Sequence, residues 1–358
     1  MVLERTAREH RSPSPSLSLS LAHTHTHTHL HSLLQLTNII HRIQLKWEPK
    51  EDDPIAKETG VTCLKYAIVA SNVEVVRRLV EMRVKEGLPI DDPIKCNTTQ
   101  MYEELYVIGE TNLHVAMYKG NAEVVQILLE GGANFTLRDK LKIDCMGYAA
   151  RFGKLECMRT FLNFVEKKNN QKFDLNKYVA SSTYLQLCLE SSNISMKKTV
   201  ACIEFLMSRG ADFCQAYHAA GFTPLMALIQ STSRSVEMLN YVVQLLHKES
   251  GRSIVDIVNE KLQPRTMLWF FFRKYTNFCS IFKRIERYKD PALWFMKQMW
   301  GATPLHLACS SGASASIVTR LIELGADVNA KNEMGKTPMD FVRLFGNVDS
   351  ISEILIET

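Results

Sequence analysis

The sequence predicts an all-α solenoid of about seven helix-turn-helix repeats joined by turn or hairpin fingers, with two insertions. Two observations carry this. A leading threonine or aspartate recurs near Thr62, Thr111, Asp144, Thr183, Thr223, Thr303 and Thr337, with 33 residues from Thr111 to Asp144 and 34 from Thr303 to Thr337. Behind each stands a short apolar run with a small residue in it, then a second, helix-periodic run. One such unit leaves an apolar face uncovered, so copies must stack.

Residues 301–331, GATPLHLACSSGASASIVTRLIELGADVNAK, give the unit its physical logic. The Thr303 hydroxyl is suited to accept an orphan N–H of the first helical turn. Pro304 follows where a missing N–H does no harm, and Gly312 can take the left-handed conformation that ends a short helix. The first segment, TCLKYAIVASNVEVVRRLVE, carries the stripe Val73, Val75, Val76 and Leu79, and the second reads TNLHVAMYKGNAEVVQILLEGGANF. The third, DCMGYAARFGKLECMRTFL, has an aspartate in the capping place, where it serves as well as threonine. The fourth begins TYLQLCLESS and regains the pattern at CIEFLMSRGADF after about seven extra residues. The fifth, GFTPLMALIQS, continues into a run from Val236 to Leu246. The last, KTPMDFVRLFGNVDSISEILIE, presents Asp340, Asp349, Ser350, Ser352 and Glu353, as an end cap facing water should.

Two spacings are too long. Thr62 to Thr111 is 49 residues, leaving about sixteen extra, placed within 84–104. Thr223 to Thr303 is 80, leaving about 47 extra, most of it in LQPRTMLWFFFRKYTNFCSIFKRIERYKDPALWFMKQMW. Joining VNEK (258–261) directly to GATPLH restores a repeat junction, which sets the insert at Leu262 to Trp300. The organisation read from the sequence is therefore a low-complexity start (1–50), five repeats (55–261), a basic aromatic insert (262–300) and two closing repeats (301–358).

Two T-P-L tripeptides, one T-P-M, two L-H-x-A runs and two G-A-D turns recur at the same offsets. On these residues the chain, over roughly 58 to 356, resembles the ankyrin-repeat family. The resemblance implies no catalytic residues of the repeats' own, and partner proteins bound at turn tips and on the exposed, concave face of the first helices. Carried onto this chain, the turn places are Arg138, Lys140 and Lys142, then Gln215, Tyr217 and His218, then Lys331, Asn332 and Met334. The first-helix places are Tyr118 with Lys119, and Arg151 with Phe152. It also implies that His114 and His306 bond backbone between adjacent repeats. Lys65, Gly147, Gln186 and Met226 stand in the same place elsewhere, so those junctions are expected to lack the bond and the middle of the solenoid to be softer.

Apolar content of 46% and charged content of 23% fit an ordinary soluble chain. The net charge of +5 is unevenly placed: residues 262–300 carry eight Lys or Arg against two Asp or Glu, and the remainder is near neutral. The insert also holds three of the four tryptophans. Written as a helix, its Leu268, Phe272, Tyr275, Cys279, Phe282 and Ile285 form an apolar stripe beside Arg273, Lys274, Lys283, Arg284 and Arg287. That pattern fits an acidic membrane surface or a partner helix, and less well nucleic acid; the plainest reading is a degenerate repeat plus a loop. No apolar run approaches the ~20 residues of a membrane span.

The nine cysteines include no C-x-x-C pair, and Cys63, Cys145, Cys188 and Cys309 fall where a first helix wants a small apolar residue. They read as free thiols in a reducing compartment, the cytoplasm or alternatively the nucleus. The start, SPSPSLSLSLAHTHTHTHLHS, is expected to be disordered. Its Ser-Leu alternation argues against a signal peptide despite Arg5, Arg8 and Arg11. His23 to His31 alternate on one face of an extended strand, but a metal role is not expected. A short apolar helix is predicted over 33–45 and a charged linker over 48–54. No hydrolase, zinc or nucleotide motif is complete: Gly335-Lys336-Thr337 resembles the end of a phosphate loop, but Ala330 stands where its first glycine belongs.

The expectation is a non-catalytic scaffold or adaptor, without cofactor, binding a protein partner on the concave face. The alternatives are a substrate-recognition subunit of a ubiquitin-ligase complex, which needs a docking box after the repeats where this chain ends at Thr358, or a membrane-tethered scaffold using 262–300.

Overall fold

The computed structural model describes residues 62–95, 108–191, 194–231, 235–281, 291–345 and 348–357. The low-complexity start, the helix predicted over 33–45, the linker after it, and Phe282 to Arg287 of the insert stripe lie outside them. Each repeat is a helix pair: α1 (Cys63–Val69) with α2 (Val73–Lys85), α3 (Asn112–Lys119) with α4 (Ala122–Glu130), and α5 (Cys145–Arg151) with α6 (Leu155–Asn169). Then come α7 (Tyr184–Leu189) with α8 (Met196–Ser208), and α9 (Pro224–Gln230) with α10 (Val236–Ser250). After α11 (Ile254–Val258) the insert forms α12 (Met267–Ile281) and α13 (Pro291–Met299). The last pairs are α14 (Pro304–Ser310) with α15 (Ala315–Glu323), and α16 (Pro338–Phe345) with α17 (Val348–Glu357).

Every predicted cap residue starts a first helix. Thr62, Asp144, Thr183 and Thr223 each accept the backbone N–H three residues on. Thr111 and Thr303 do so in reciprocal boxes with His114 and His306. Helices of six to eight residues are not stable alone. They persist because α1, α3, α5, α7, α9, α14 and α16 stack in that order over one continuous apolar core. Because α9 packs directly on α14, the insert leaves the stack unbroken.

Neighbouring repeats are registered by one carbonyl, that of the residue before each cap. His114 Nδ1 accepts the Thr111 N–H (3.2 Å), so Nε2 carries the proton and donates to Ile143 O (3.3 Å). His306 repeats the arrangement with Thr303 N–H (3.2 Å) and Lys336 O (2.9 Å). The expectation that other junctions lack this bond needs correcting at two of them. Lys65 Nζ donates to Glu110 O (3.3 Å) and Gln186 Nε2 to Phe222 O (3.4 Å), both carbonyls of the same kind. Only Gly147 and Met226 supply no side-chain donor. At the Gly147 junction aspartate as a cap compensates, because it has two oxygens. Asp144 Oδ1 caps the Gly147 N–H (2.9 Å) while Oδ2 accepts the Tyr184 hydroxyl from the next repeat (2.7 Å).

The fingers close with a common pair of backbone bonds. Asp139 N–H donates to Ile143 O (3.0 Å) and Lys142 N–H to Asp139 O (3.0 Å); His218 with Phe222 and Gly221, and Asn332 with Lys336 and Gly335, do the same. The long fingers close identically. Ile94 N–H meets Glu110 O (3.0 Å) and Gly109 N–H meets Ile94 O (2.8 Å), while Leu262 N–H meets Ala302 O (2.8 Å) and Gly301 N–H meets Leu262 O (3.1 Å). Residues 95–108 and 263–300 thus replace a two-residue tip. Closure entropy rises only slowly with loop length, so a finger tip accommodates such additions. The first loop does not begin at Val84, since α2 runs on to Lys85. Leu262 and Trp300 are buried in the common core. Successive fingers are also bonded to each other, for example Lys140 N–H to Ile108 O (2.8 Å), Arg265 N–H to Ala219 O (3.1 Å) and Glu333 N–H to Trp300 O (3.0 Å).

Gly221 has φ +100°, and a Cβ there would fall 1.8 Å from Gln263 O. Gly221→Ala is expected to lose about 2 kcal/mol more in chemical denaturation than Gly210→Ala, which shares the positive φ but faces open space. Burial lowers the Lys65 ammonium from 10.5 to about 8, although Asp92 and Glu110 oppose the shift. The unfolded chain therefore binds the extra proton between about 8 and 10.5, and stability rises with pH across that window. In Lys65→Gln, which keeps a neutral donor, that contribution is absent. The wild type should gain on the variant by about 3 kcal/mol in urea melts from pH 7.5 to 10.5. A difference independent of pH would refute the buried cation.

Candidate functional site

Stacking α3 on α5 brings the two first-helix positions named by the sequence together. Tyr118 and Phe152, both half-buried, meet edge to face with ring centroids 4.6 Å apart. Lys119 Nζ lies 5.5 Å from the Tyr118 ring centre, and Arg151 closes the end of α5 beside Phe152. On the next repeat Glu190, the C-cap of α7, accepts the Ser182 hydroxyl (2.9 Å). Desolvation pushes its carboxyl up, against the pull of that hydrogen bond and of the Arg151 charge.

The second finger carries Arg138, Lys140 and Lys142, all exposed, at the N-terminal end of α5. Arg138 pairs with Asp144 in a single antiparallel bridge. Beneath the finger the Tyr148 hydroxyl sits between Asp139 Oδ2 (2.8 Å) and Glu110 Oε1 (2.5 Å). Burial and the two carboxylates hold this phenol protonated far above its ordinary range. Sequence reading passed over Tyr148 because it occupies a packed position. The signal was a tyrosine, with a polar tip that needs a partner, inside a helix otherwise built of small and apolar residues.

The remaining turn residues divide sharply. Gln215, Lys331 and Met334 are exposed. Tyr217 and Asn332 are not available as binding residues, a correction to the sequence reading. Tyr217 is buried under the Arg265 guanidinium, 3.8 Å from its ring centre, and donates to Glu260 (2.8 Å). Burial and that carboxylate push its phenol up to about 12. Asn332 is 6% exposed; its Oδ1 accepts the N–H groups of Met334 (3.0 Å) and Lys336 (2.9 Å), and its Nδ2 donates to Gln298 O (2.6 Å). Finger turns recruit Asn for this local bonding. His218 is half-buried between Phe222 and Trp269, and burial lowers its imidazole to about 4.

On the last repeat Phe345, eight residues after its cap like Phe152 after Asp144, is covered by Trp294 (5.7 Å) and Phe295 (6.0 Å) of α13. The first-helix face is therefore covered by the insert at its C-terminal end. Among the described residues no group of three or more His, Cys, Asp or Glu side chains could hold a metal ion. The division between structural and available turn residues is testable. Asn332→Ala is expected to destabilise the protein by about 2 kcal/mol, and Lys331→Ala and Met334→Ala by less than about 0.5 kcal/mol, in thermal or chemical melts.

The family model for ankyrin repeats in three copies matches residues 28–139 and 113–216, more than half of the chain. A second, for ankyrin repeats in many copies, matches residues 295–342. Among solved structures, the chain is similar to the human ASB11 ankyrin repeat domain, at 16% identity and TM-score 0.48, over 83% of this chain and 97% of that one. It is also similar to the ankyrin repeat domain of Bcl-3, a member of the IkappaB family, at 21% identity and TM-score 0.46, over 84% of this chain and 100% of that one. The repeated caps, the inter-repeat carbonyl bonds and these family matches lead to one conclusion: the chain belongs to the ankyrin-repeat family.

Proposed function

We propose that this chain is a protein-interaction scaffold without catalysis of its own, working in the cytoplasm or nucleus. Its partner is a protein segment with an apolar or aromatic anchor flanked by acidic residues. The observation that carries this reading is the joined pair Tyr118 and Phe152, with Lys119, Arg151 and Lys154 at the same helix ends, and the exposed cations Arg138, Lys140 and Lys142 on the second finger at the opposite, N-terminal end of α5. The neighbouring acids Glu110, Asp139 and Asp144 are buried and bonded to the Tyr148 and Tyr184 hydroxyls, so a partner meets the exposed cations rather than these carboxylates. Aromatic rings and arginines held on a stacked scaffold are typical energetic anchors. A preformed surface also loses little entropy on binding.

The test is a proximity-labelling or pull-down comparison of the wild type with two variants, each shown to keep its helical content. One combines Tyr118→Ala, Arg151→Ala and Phe152→Ala; the other combines Arg138→Glu, Lys140→Glu and Lys142→Glu. Partners bound on this face should be lost from the first and bind at least about tenfold more weakly to the second. An unchanged partner set with both variants would move the function elsewhere on the chain.

A further inference from the structure

We propose that α12, carried at the tip of the fifth finger, lays the protein on an anionic lipid bilayer. One side of this helix is fixed to the solenoid. Trp269 and Phe272 pack toward the core, the Trp300 indole N–H donates to the buried Thr276 hydroxyl (3.0 Å), and Arg273 bonds Glu333 (3.1 Å) and Gln263 (2.8 Å). The other side faces outward and, apart from Lys274, is apolar: Met267 is 67% exposed, Leu268 77%, Phe270 39%, Phe271 61% and Tyr275 55%. Elsewhere among the described residues exposed large apolar side chains stand singly, at Val84, Leu141, Tyr178, Met196, Val255, Met334 and Ile356. On α12 they form a contiguous band at positions i, i+1, i+3, i+4 and i+8, on a helix whose inward contacts hold it in place.

Charge selects the occupant. From Leu262 to Ile281 the chain has Arg265, Arg273 and Lys274 and no acidic residue, and Lys261, Lys331 and Lys336 lie on the same and the next finger. The acids at hand, Glu260 and Glu333, are paired with Arg252, Arg265 and Arg273. A second copy would set this basic face against itself. A protein partner would have to bring a groove, because the exposed band lies on the convex side of a single helix. An anionic bilayer needs no groove: acyl chains take the Leu and Phe side chains while headgroups meet the lysines. Fifteen residues at ~1.5 Å each fall short of the ~30 Å hydrocarbon core, so α12 lies along the surface.

The experiment is co-sedimentation of the full chain with vesicles of phosphatidylcholine alone or mixed with phosphatidylserine. Binding to the mixed vesicles is expected, weakening at least about tenfold without phosphatidylserine or at high salt. Leu268→Glu with Phe271→Glu changes two side chains that face solvent. It should keep the wild-type melt and lose that binding by at least about tenfold, and Lys274→Glu should weaken it. The Tyr118, Arg151 and Phe152 variant should bind vesicles like the wild type, which separates this surface from the first-helix site. No sedimentation with either vesicle, or binding unaffected by the Leu268 and Phe271 changes, overturns the proposal. So does a wild-type dimer in size-exclusion chromatography that those changes abolish, since that would assign the band to a second copy.

Discussion

The carbonyl before each helix cap is the constraint on which the stack depends. It faces the preceding repeat and already accepts a backbone N–H of its own finger at Ile143, Lys336, Glu110 and Phe222, so a donor from the preceding repeat takes its second lone pair. Histidine meets it at Ile143 and Lys336, lysine at Glu110 and glutamine at Phe222. These side chains share no charge or shape, only a donor that reaches the same place. A repeat can thus drift in sequence at this position and keep its register: a different cross-repeat bond serves at Asp144 and Tyr184, and the Met226 junction packs with no side-chain donor there.

The donors differ in electrostatics. The histidines fit best as neutral rings, since Nδ1 already accepts a threonine N–H and an added proton there would break the capping box. Burial lowers His306 to about 4 and also lowers His114, which keeps both neutral under ordinary conditions. Lysine makes the same bond but brings a charge into a site that is 1% exposed, with only Asp92 and Glu110 to balance it. The first repeat is therefore registered by the least comfortable of the three donors.

The fingers explain how the solenoid accepts additions without losing its core. Both long segments replace the same two-residue tip and are closed by the same backbone bonds, so neither disturbs the helices on either side. The second of them then contributes on both of its sides. It adds Trp300 and Met299 to the core and covers Phe345, while α12 turns an apolar band outward. The open aromatic and cationic stretch of first-helix surface lies at the other end, around Tyr118 and Phe152. Two chemically distinct surfaces thus lie at separated places along one stack.

The repeat architecture was legible in the sequence because its signals are local. A cap hydroxyl, a proline after it and a 3.6-residue apolar period act within one helix, and every predicted cap starts one. What lies across a junction was legible at His114 and His306, through the family resemblance, and not at the other junctions. Lys65 and Gln186 reach carbonyls 45 and 36 residues away, which no spacing rule within a segment reveals. The same holds for the site. Turn positions were identifiable from the repeat offsets, but whether Tyr217 and Asn332 face a partner or bond Glu260 and Gln298 depends on segments 43 and 34 residues distant. Sequence by itself determined the helices, their caps and the stacking period, since these rest on neighbours in the chain. Tertiary structure decided which polar groups remain available and which face of the insert is turned outward, since burial is set by neighbours in space.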